Sequence, residues 1–334
     1  MAERLVVNQL AGPLDPAPPP ASPLAFHRSL AGYAVTPLVD APAAAGALGV
    51  RRVLVKDESS RLGLPSFKVL GASWAIHRAL QERRSAVRPA LVCATDGNHG
   101  RAVARMAQLL GLEATVFVPS AMVAARRAAI TGEGARVQVV DGTYDDAVEQ
   151  AAALAGPDRL VIQDTAWPGY ETVPAWVIEG YATIGAEIDV EPDVVAVQIG
   201  VGSFAAAMVR RFAGARIVGV EPVSAACALA SAEAGAPTEV PGPHDSSMAG
   251  LNCGRPSPVA WPLLSRGIEA FIAVADDRAD EAVALLAADG ITAGESGAAG
   301  LAGLLAFRAD LALSADATVL VVNTEGDTKG SDPA

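Results

Sequence analysis

The chain has 334 residues, 51% of them hydrophobic and 19% charged, with a formal net charge of −12. That size and apolar content allow a large core in two lobes, while the acidic balance excludes a protein that wraps nucleic acid or an anionic membrane, because phosphate surfaces reward clustered Lys and Arg. No apolar run has the length of a bilayer span and the start Met1-Ala2-Glu3-Arg4 lacks a leader pattern, so a cytoplasmic protein with a small-molecule partner is expected.

The first element in chain order is a Pro- and Ala-rich stretch from Gly12 to Pro23, expected to form an extended arm on the surface. A strand is predicted at 53–55, ending at Lys56, whose neighbours Asp57 and Glu58 suggest an ion-paired strand end. A helix at 68–84 opens on Lys68, one of three lysines in the chain with Lys56 and Lys329. Flanked by Phe67, Val69 and Leu70, Lys68 reads as an amine kept for chemistry, since burial strips its hydration, lowers its pKa and makes it a nucleophile toward an aldehyde. The alternative is a lysine that snorkels at a helix start.

The strand predicted at 91–94 runs into Thr95-Asp96-Gly97-Asn98-His99-Gly100 and a helix at 100–110. Asn98 has an amide to offer a phenolate-like oxygen, and Gly97 lets backbone approach a planar ring; a plain Asp-Gly turn capping the helix is the alternative. His99 by itself reads as a hydrogen-bonded helix-start residue. Strands at 115–118, 137–140 and 160–162 and helices at 144–155 and 171–187 follow.

The next strand, 194–199, leads to Gly200-Val201-Gly202-Ser203 and a helix at 204–212. A glycine turn opening a helix presents free amides and the positive end of the helix dipole to an anion, which describes a phosphate cup. Gly200-x-Gly202-x-x-Ala205, with Glu221 closing the strand at 217–221, equally satisfies the loose dinucleotide pattern of a nicotinamide dehydrogenase, and a tight turn that binds nothing is a third reading. Strands at 271–274 and 318–322 and helices at 278–288 and 298–309 complete the series. The alternation predicts an α/β fold with parallel sheets covered by helices on both faces, and ligands at the carboxyl ends of strands. Cys93, Cys227 and Cys253 and the four histidines have no metal-site spacing, so no metal is expected.

Several longer stretches occur together in order: Val55-Lys56-Asp57-Glu58-Ser59, Phe67-Lys68-Val69-Leu70-Gly71, Ala94-Thr95-Asp96-Gly97-Asn98-His99-Gly100-Arg101, Gln163-Asp164-Thr165-Ala166-Trp167-Pro168-Gly169-Tyr170-Glu171, Gly294-Glu295-Ser296-Gly297 and Thr324-Glu325-Gly326-Asp327-Thr328. With them the chain resembles the fold-type II pyridoxal-phosphate enzymes, and among these the 2,3-diaminopropionate ammonia-lyases, from near Phe26 through Thr328. The resemblance implies a two-lobed α/β homodimer with parallel-rich sheets flanked by helices. The large cofactor-binding domain is expected over 1–84 and 174–334 and the small domain over 85–173.

The resemblance further implies that Lys68 bonds pyridoxal 5'-phosphate at its aldehyde carbon, that Gly200, Val201, Gly202 and Ser203 cradle the phosphate, that Asn98 meets the phenolic oxygen and that Thr324 faces the pyridine nitrogen. It assigns Asp96 the α-proton of a D-substrate, Lys68 that of an L-substrate, and Asp164 a supporting place at the leaving amine. A carboxylate at Asp96, where the related hydroxy-amino-acid dehydratases carry a small uncharged residue, suits a β-ammonium group; for Asp164, a loop carboxylate capping nearby amides is the alternative. The implied reaction is α,β-elimination of ammonia from 2,3-diaminopropionate to give pyruvate. The phosphate loop departs from the family in continuing Phe204-Ala205-Ala206 where a further glycine is usual. Serine or threonine dehydration and β-replacement on the same fold are the nearest alternatives. The nicotinamide dehydrogenase, which leaves Lys68 unexplained, is the alternative from another class.

Overall fold

Aliphatic and β-branched runs form eleven strands among the described residues: β1 (Arg4–Val7), β2 (Leu38–Asp40), β3 (Arg52–Asp57), β4 (Ala90–Ala94), β5 (Ala114–Pro119), β6 (Arg136–Val140), β7 (Arg159–Val161), β8 (Val194–Gln198), β9 (Arg216–Pro222), β10 (Ala270–Val274) and β11 (Thr318–Asn323). The structure is a computed structural model and describes residues 2–14, 22–84, 86–95 and 97–327. Seven strands form one sheet in the order β1-β10-β9-β8-β11-β3-β2, parallel except for β1 and β2, which pair antiparallel at its two edges. The other four form a wholly parallel sheet in the order β6-β5-β4-β7. The nine predicted strands are β3 to β11. β1 and the three-residue β2 were not predicted, and they make the large sheet mixed where parallel pairing was expected.

Alternation along the strands sorts side chains onto two faces. In the large sheet, Leu54, Val195, Val197, Ile217, Phe271, Leu320 and Val322 enter one apolar core with the helices Lys68–Glu82, Thr172–Ala186 and Ser203–Arg211. Their neighbours Val53, Val55, Val194, Ala196, Val218, Ile272, Val319 and Val321 enter another with Asp276–Ala288 and Glu295–Ala306. Such double-sided burial is why these strands read as continuous apolar runs. A third cluster, with Val92, Ala94, Phe117, Val140, Ala147 and Ala151, covers one face of the small sheet.

The chain enters the small sheet through Lys68–Glu82 and leaves it through Thr172–Ala186, and these two helices pack on each other. A Cβ at Gly71 would lie 2.6 Å from the Tyr181 ring, and one at Gly180 would lie 2.5 Å from the Leu70 carbonyl oxygen. Below the pair, Lys56 donates to Glu187 over 2.6 Å and Arg61 donates to Glu58 and to Glu187, all of them buried. Lys56 is thus ion-paired as expected, with Glu187 just beyond the end of Thr172–Ala186 as the partner. Burial works to raise the Glu187 pKa, and its hydrogen bonds from Arg61 and Lys56 outweigh this and hold it at about 2. The Pro-rich arm lies mostly outside the described residues; at its start, Gly12 donates its amide to the Arg266 carbonyl.

Candidate active site

The carboxyl ends of β4, β8 and β11 converge on one cleft of about 240 Å³. Lys68 reaches it as the first residue of its helix, and its ammonium donates to Asp164 Oδ2 over 2.7 Å. Burial tends to lower the Lys68 pKa, but the Asp164 carboxylate outweighs it and holds the amine well above its ordinary value. The sequence-based expectation of a lowered amine pKa is therefore reversed, because it omitted this counter-charge. Burial likewise tends to raise Asp164, and the Lys68 ammonium brings it down to about 2. The loop bearing Asp164 is pinned by Gln163, whose amide bonds the Ala94 N–H and carbonyl and the Tyr144 hydroxyl.

After β4, Thr95 Oγ1 accepts from the amides of Gly97 and Gly100, which ties the turn to the start of the helix Asn98–Leu110, whose N-cap is Gly97. A Cβ at Gly100 would lie 2.4 Å from Thr95 Cγ2, so glycine is required there. Asp96 lies outside the described residues. Asn98 opens the helix with its Nδ2 donating to Glu325 Oε2 over 2.6 Å. His99 is buried and donates from Nε2 to the Ile162 carbonyl over 2.8 Å.

After β8, Gly202 sits at φ +95° and opens the helix Ser203–Arg211; a Cβ there would lie 2.5 Å from Leu264 Cδ1. Gly200 is confined too, less tightly, with the Gly250 carbonyl oxygen 3.0 Å from its would-be Cβ. Gly200, Val201, Gly202 and Ser203 all line the cleft, where first-turn amides have no acceptor inside their helix. The Ser203 hydroxyl donates to the Asp164 carbonyl over 2.8 Å, which ties this turn to the Asp164 loop and leaves the Ser203 backbone amide as its donor toward an anion.

After β11, Thr324 Oγ1 accepts from Gln198 Nε2 over 2.7 Å, so the Thr324 hydroxyl retains its own proton to donate. Gln198 and Glu325 are the site residues the sequence reading missed. Gln198 had a visible signal, as the one amide closing an otherwise apolar buried strand.

Glu221, on which the dinucleotide reading depends, is fully buried, and its two oxygens accept the amides of Ala228 and Leu229, each at 2.8 Å, capping the helix Cys227–Ala234. Burial pushes its pKa up to about 7. A carboxylate so engaged and fully buried does not line the cleft and is withheld from a ribose there. Cys93, Cys227 and Cys253 are free thiols. Among the described residues, no group of three or more His, Cys, Asp or Glu side chains is arranged to hold a metal.

An amine, a glycine cup that a Cβ would fill, a neutral hydroxyl with a proton to give and a side-chain amide thus face one cleft. That donor set fits an aldehyde-bearing phosphate ester with a pyridine ring. The chain belongs to the pyridoxal-phosphate dependent enzymes, whose family model matches residues 30–325. Within that family it is similar to the diaminopropionate ammonia-lyase of Escherichia coli, at 37% identity over 91% of this chain and 87% of that one. Two solved structures of the Escherichia coli enzyme match over 98% of this chain at 34% identity. The one in complex with an aminoacrylate-PLP azomethine reaction intermediate has a TM-score of 0.89 over 94% of its chain, and the one in complex with D-serine has 0.90 over 95%.

Proposed function

We propose that this chain eliminates ammonia from 2,3-diaminopropionate, giving pyruvate and a second ammonia on hydrolysis. The observation that carries the reading is the buried Asp164 carboxylate beside the Lys68 amine, an anionic place for a cationic leaving group in a pyridoxal-phosphate family cleft. Lys68 would hold the cofactor covalently, Gly200, Val201, Gly202 and Ser203 its phosphate, Asn98 its phenolic oxygen and Thr324 its ring nitrogen. When bound, the cofactor supplies the electron sink that stabilises the charge left at Cα.

The protein's part is proton traffic and charge placement. Lys68 takes the α-proton of an L-substrate as a free amine, and Asp96 takes that of a D-substrate. Asp164 holds the β-ammonium while the Cβ–N bond breaks with its electron pair going to nitrogen, so the group leaves as neutral ammonia. As the L-substrate's proton arrives on Lys68, the new ammonium becomes the partner Asp164 has in this structure.

The lobe division 1–84 with 174–334, and 85–173, is supported by the small sheet lying wholly between Ala90 and Val161. The reading extends to a homodimer in the cytoplasm, in keeping with three free thiols; size-exclusion with light scattering tests the dimer. The main test is pyruvate release from D- and L-2,3-diaminopropionate against L-serine, with 2-oxobutyrate assayed for L-threonine. Release mainly from the diamino acids supports the proposal, and release mainly from the hydroxy acids replaces it with a dehydratase.

A further inference from the structure

Beside Asp164 lies a group to which none of the roles above has been given. His99 Nδ1 is buried and has no hydrogen-bond partner among the described residues, and it faces Asp164 Oδ2 at 3.9 Å. The other ring nitrogen is engaged with the Ile162 carbonyl, which only accepts, so Nε2 carries the proton of a neutral ring and Nδ1 is a bare lone pair. Burial lowers the His99 pKa, and the nearby Lys68 ammonium adds to this against the pull of Asp164, which keeps the ring neutral. An unsatisfied buried acceptor is costly, and this one beside a carboxylate suits a donor that a substrate brings.

Two acceptors 3.9 Å apart are spanned by one nitrogen that makes a bond of about 2.8 Å to each. A primary ammonium already reaches Oδ2 in this structure, that of Lys68. We propose that His99 is a specificity-determining residue, its unprotonated Nδ1 forming with Asp164 Oδ2 a two-acceptor seat for the β-ammonium of a 2,3-diamino acid. This rests on the elimination reading above and names what discriminates within it. An ammonium has three protons and satisfies both acceptors. A β-hydroxyl has one, so serine or threonine leaves one buried acceptor unpaired, the kind of mismatch that costs most in a polar pocket. The seat takes no proton: the ammonium keeps all three until the Cβ–N electron pair arrives, and the group departs as ammonia. A ring of lowered basicity is suited to accepting a hydrogen bond without removing the proton.

The test uses holoenzyme with His99→Gln, which keeps an amide donor for the Ile162 carbonyl and removes the Nδ1 acceptor. His99→Asn restores an acceptor near the Nδ1 place at the expense of the Ile162 bond. Expected for His99→Gln is a roughly 10- to 100-fold loss of kcat/KM for diaminopropionate, the value of one hydrogen bond to a charged group, with a much smaller loss for serine. His99→Asn recovers part of the selectivity. Nitrogen-15 spectra of histidine-labelled, cofactor-free wild type, with His99 identified by the signal missing from either variant, should show a neutral ring with Nδ1 bare. A proton on Nδ1, or equal losses for the diamino acid and serine, overturns the seat alone. If the variants do not fold, selective 13C labelling of the His99 ring in wild type still decides the tautomer. Failure of wild type to release pyruvate from either diamino acid isomer instead removes the elimination reading, and the seat with it.

Discussion

The Asn98 amide donates to the Glu325 carboxyl over 2.6 Å, joining the turn after β4 in the small sheet to the loop after β11 in the large one. Burial raises the Glu325 pKa, against hydrogen bonds from Ser296 and Asn98 that lower it. The bond fixes which way the Asn98 amide points before any ligand arrives. Glu325→Ala is expected to weaken cofactor affinity about tenfold, the value of one such bond. Glu325→Gln, which still offers Asn98 an oxygen, should stay within about threefold, as measured by titrating the cofactor-free protein.

Replacing Asp164 by Asn keeps the shape and removes the charge that holds the Lys68 amine protonated, leaving burial free to lower its pKa. Attachment to an aldehyde requires the neutral amine. The rate of cofactor attachment in Asp164→Asn should therefore rise at lower pH than in wild type, while turnover of the diamino acid falls. Stopped-flow absorbance across pH 6 to 11 (roughly the span of ordinary His to Lys titration) checks the order; coincident profiles would show that Asp164 does not control the amine.

Gly202→Ala forces a side chain into left-handed backbone at φ +95° and into Leu264. Local strain of about 1–3 kcal/mol falls on the phosphate turn, so cofactor affinity is expected to drop at least about tenfold. Far-ultraviolet circular dichroism should stay near wild type; unchanged affinity would remove this turn from the phosphate site.

His27 is buried with Nδ1 2.7 Å from Thr183 Oγ1 and Nε2 3.0 Å from the Leu70 carbonyl oxygen. Burial, opposed by the bond to Leu70, lowers its pKa from 6.5 to about 4. The unfolded chain therefore binds this proton at higher pH than the folded one. The contribution is fully present above pH 6.5 and is lost as pH falls toward about 4, amounting to about 3 kcal/mol. Urea unfolding at intervals across that window should show a slope that His27→Gln lacks.

Much of the architecture was legible because double-sided burial writes a strand as an unbroken apolar run, as in Val194–Gln198 and Ala270–Val274. The edge strands escaped for the opposite reason: β2 is three residues long and β1 is only half-buried, so neither has that signature. The lining of the cleft was legible where a residue type opens a helix or follows a strand, as with Lys68, Asn98 and the Gly200–Gly202 turn, all of which line it. What the sequence withheld was partnership. The sequence separations of 96 from Lys68 to Asp164, and of 227 from Asn98 to Glu325, are closed by tertiary packing that local pattern does not encode. The same blindness made Glu221 look available when it is spent on capping a helix.

Gly71 and Gly180 give the enzyme a vulnerability far from its chemistry. Neither lines the cleft, yet Gly71 lies one turn from Lys68 and its missing side chain is what lets the two crossing helices touch. A single methyl group at either position would act as a wedge, tilting the amine away from its carboxylate. A screen of such variants would score them as catalytic lesions, although every residue in contact with substrate would be intact.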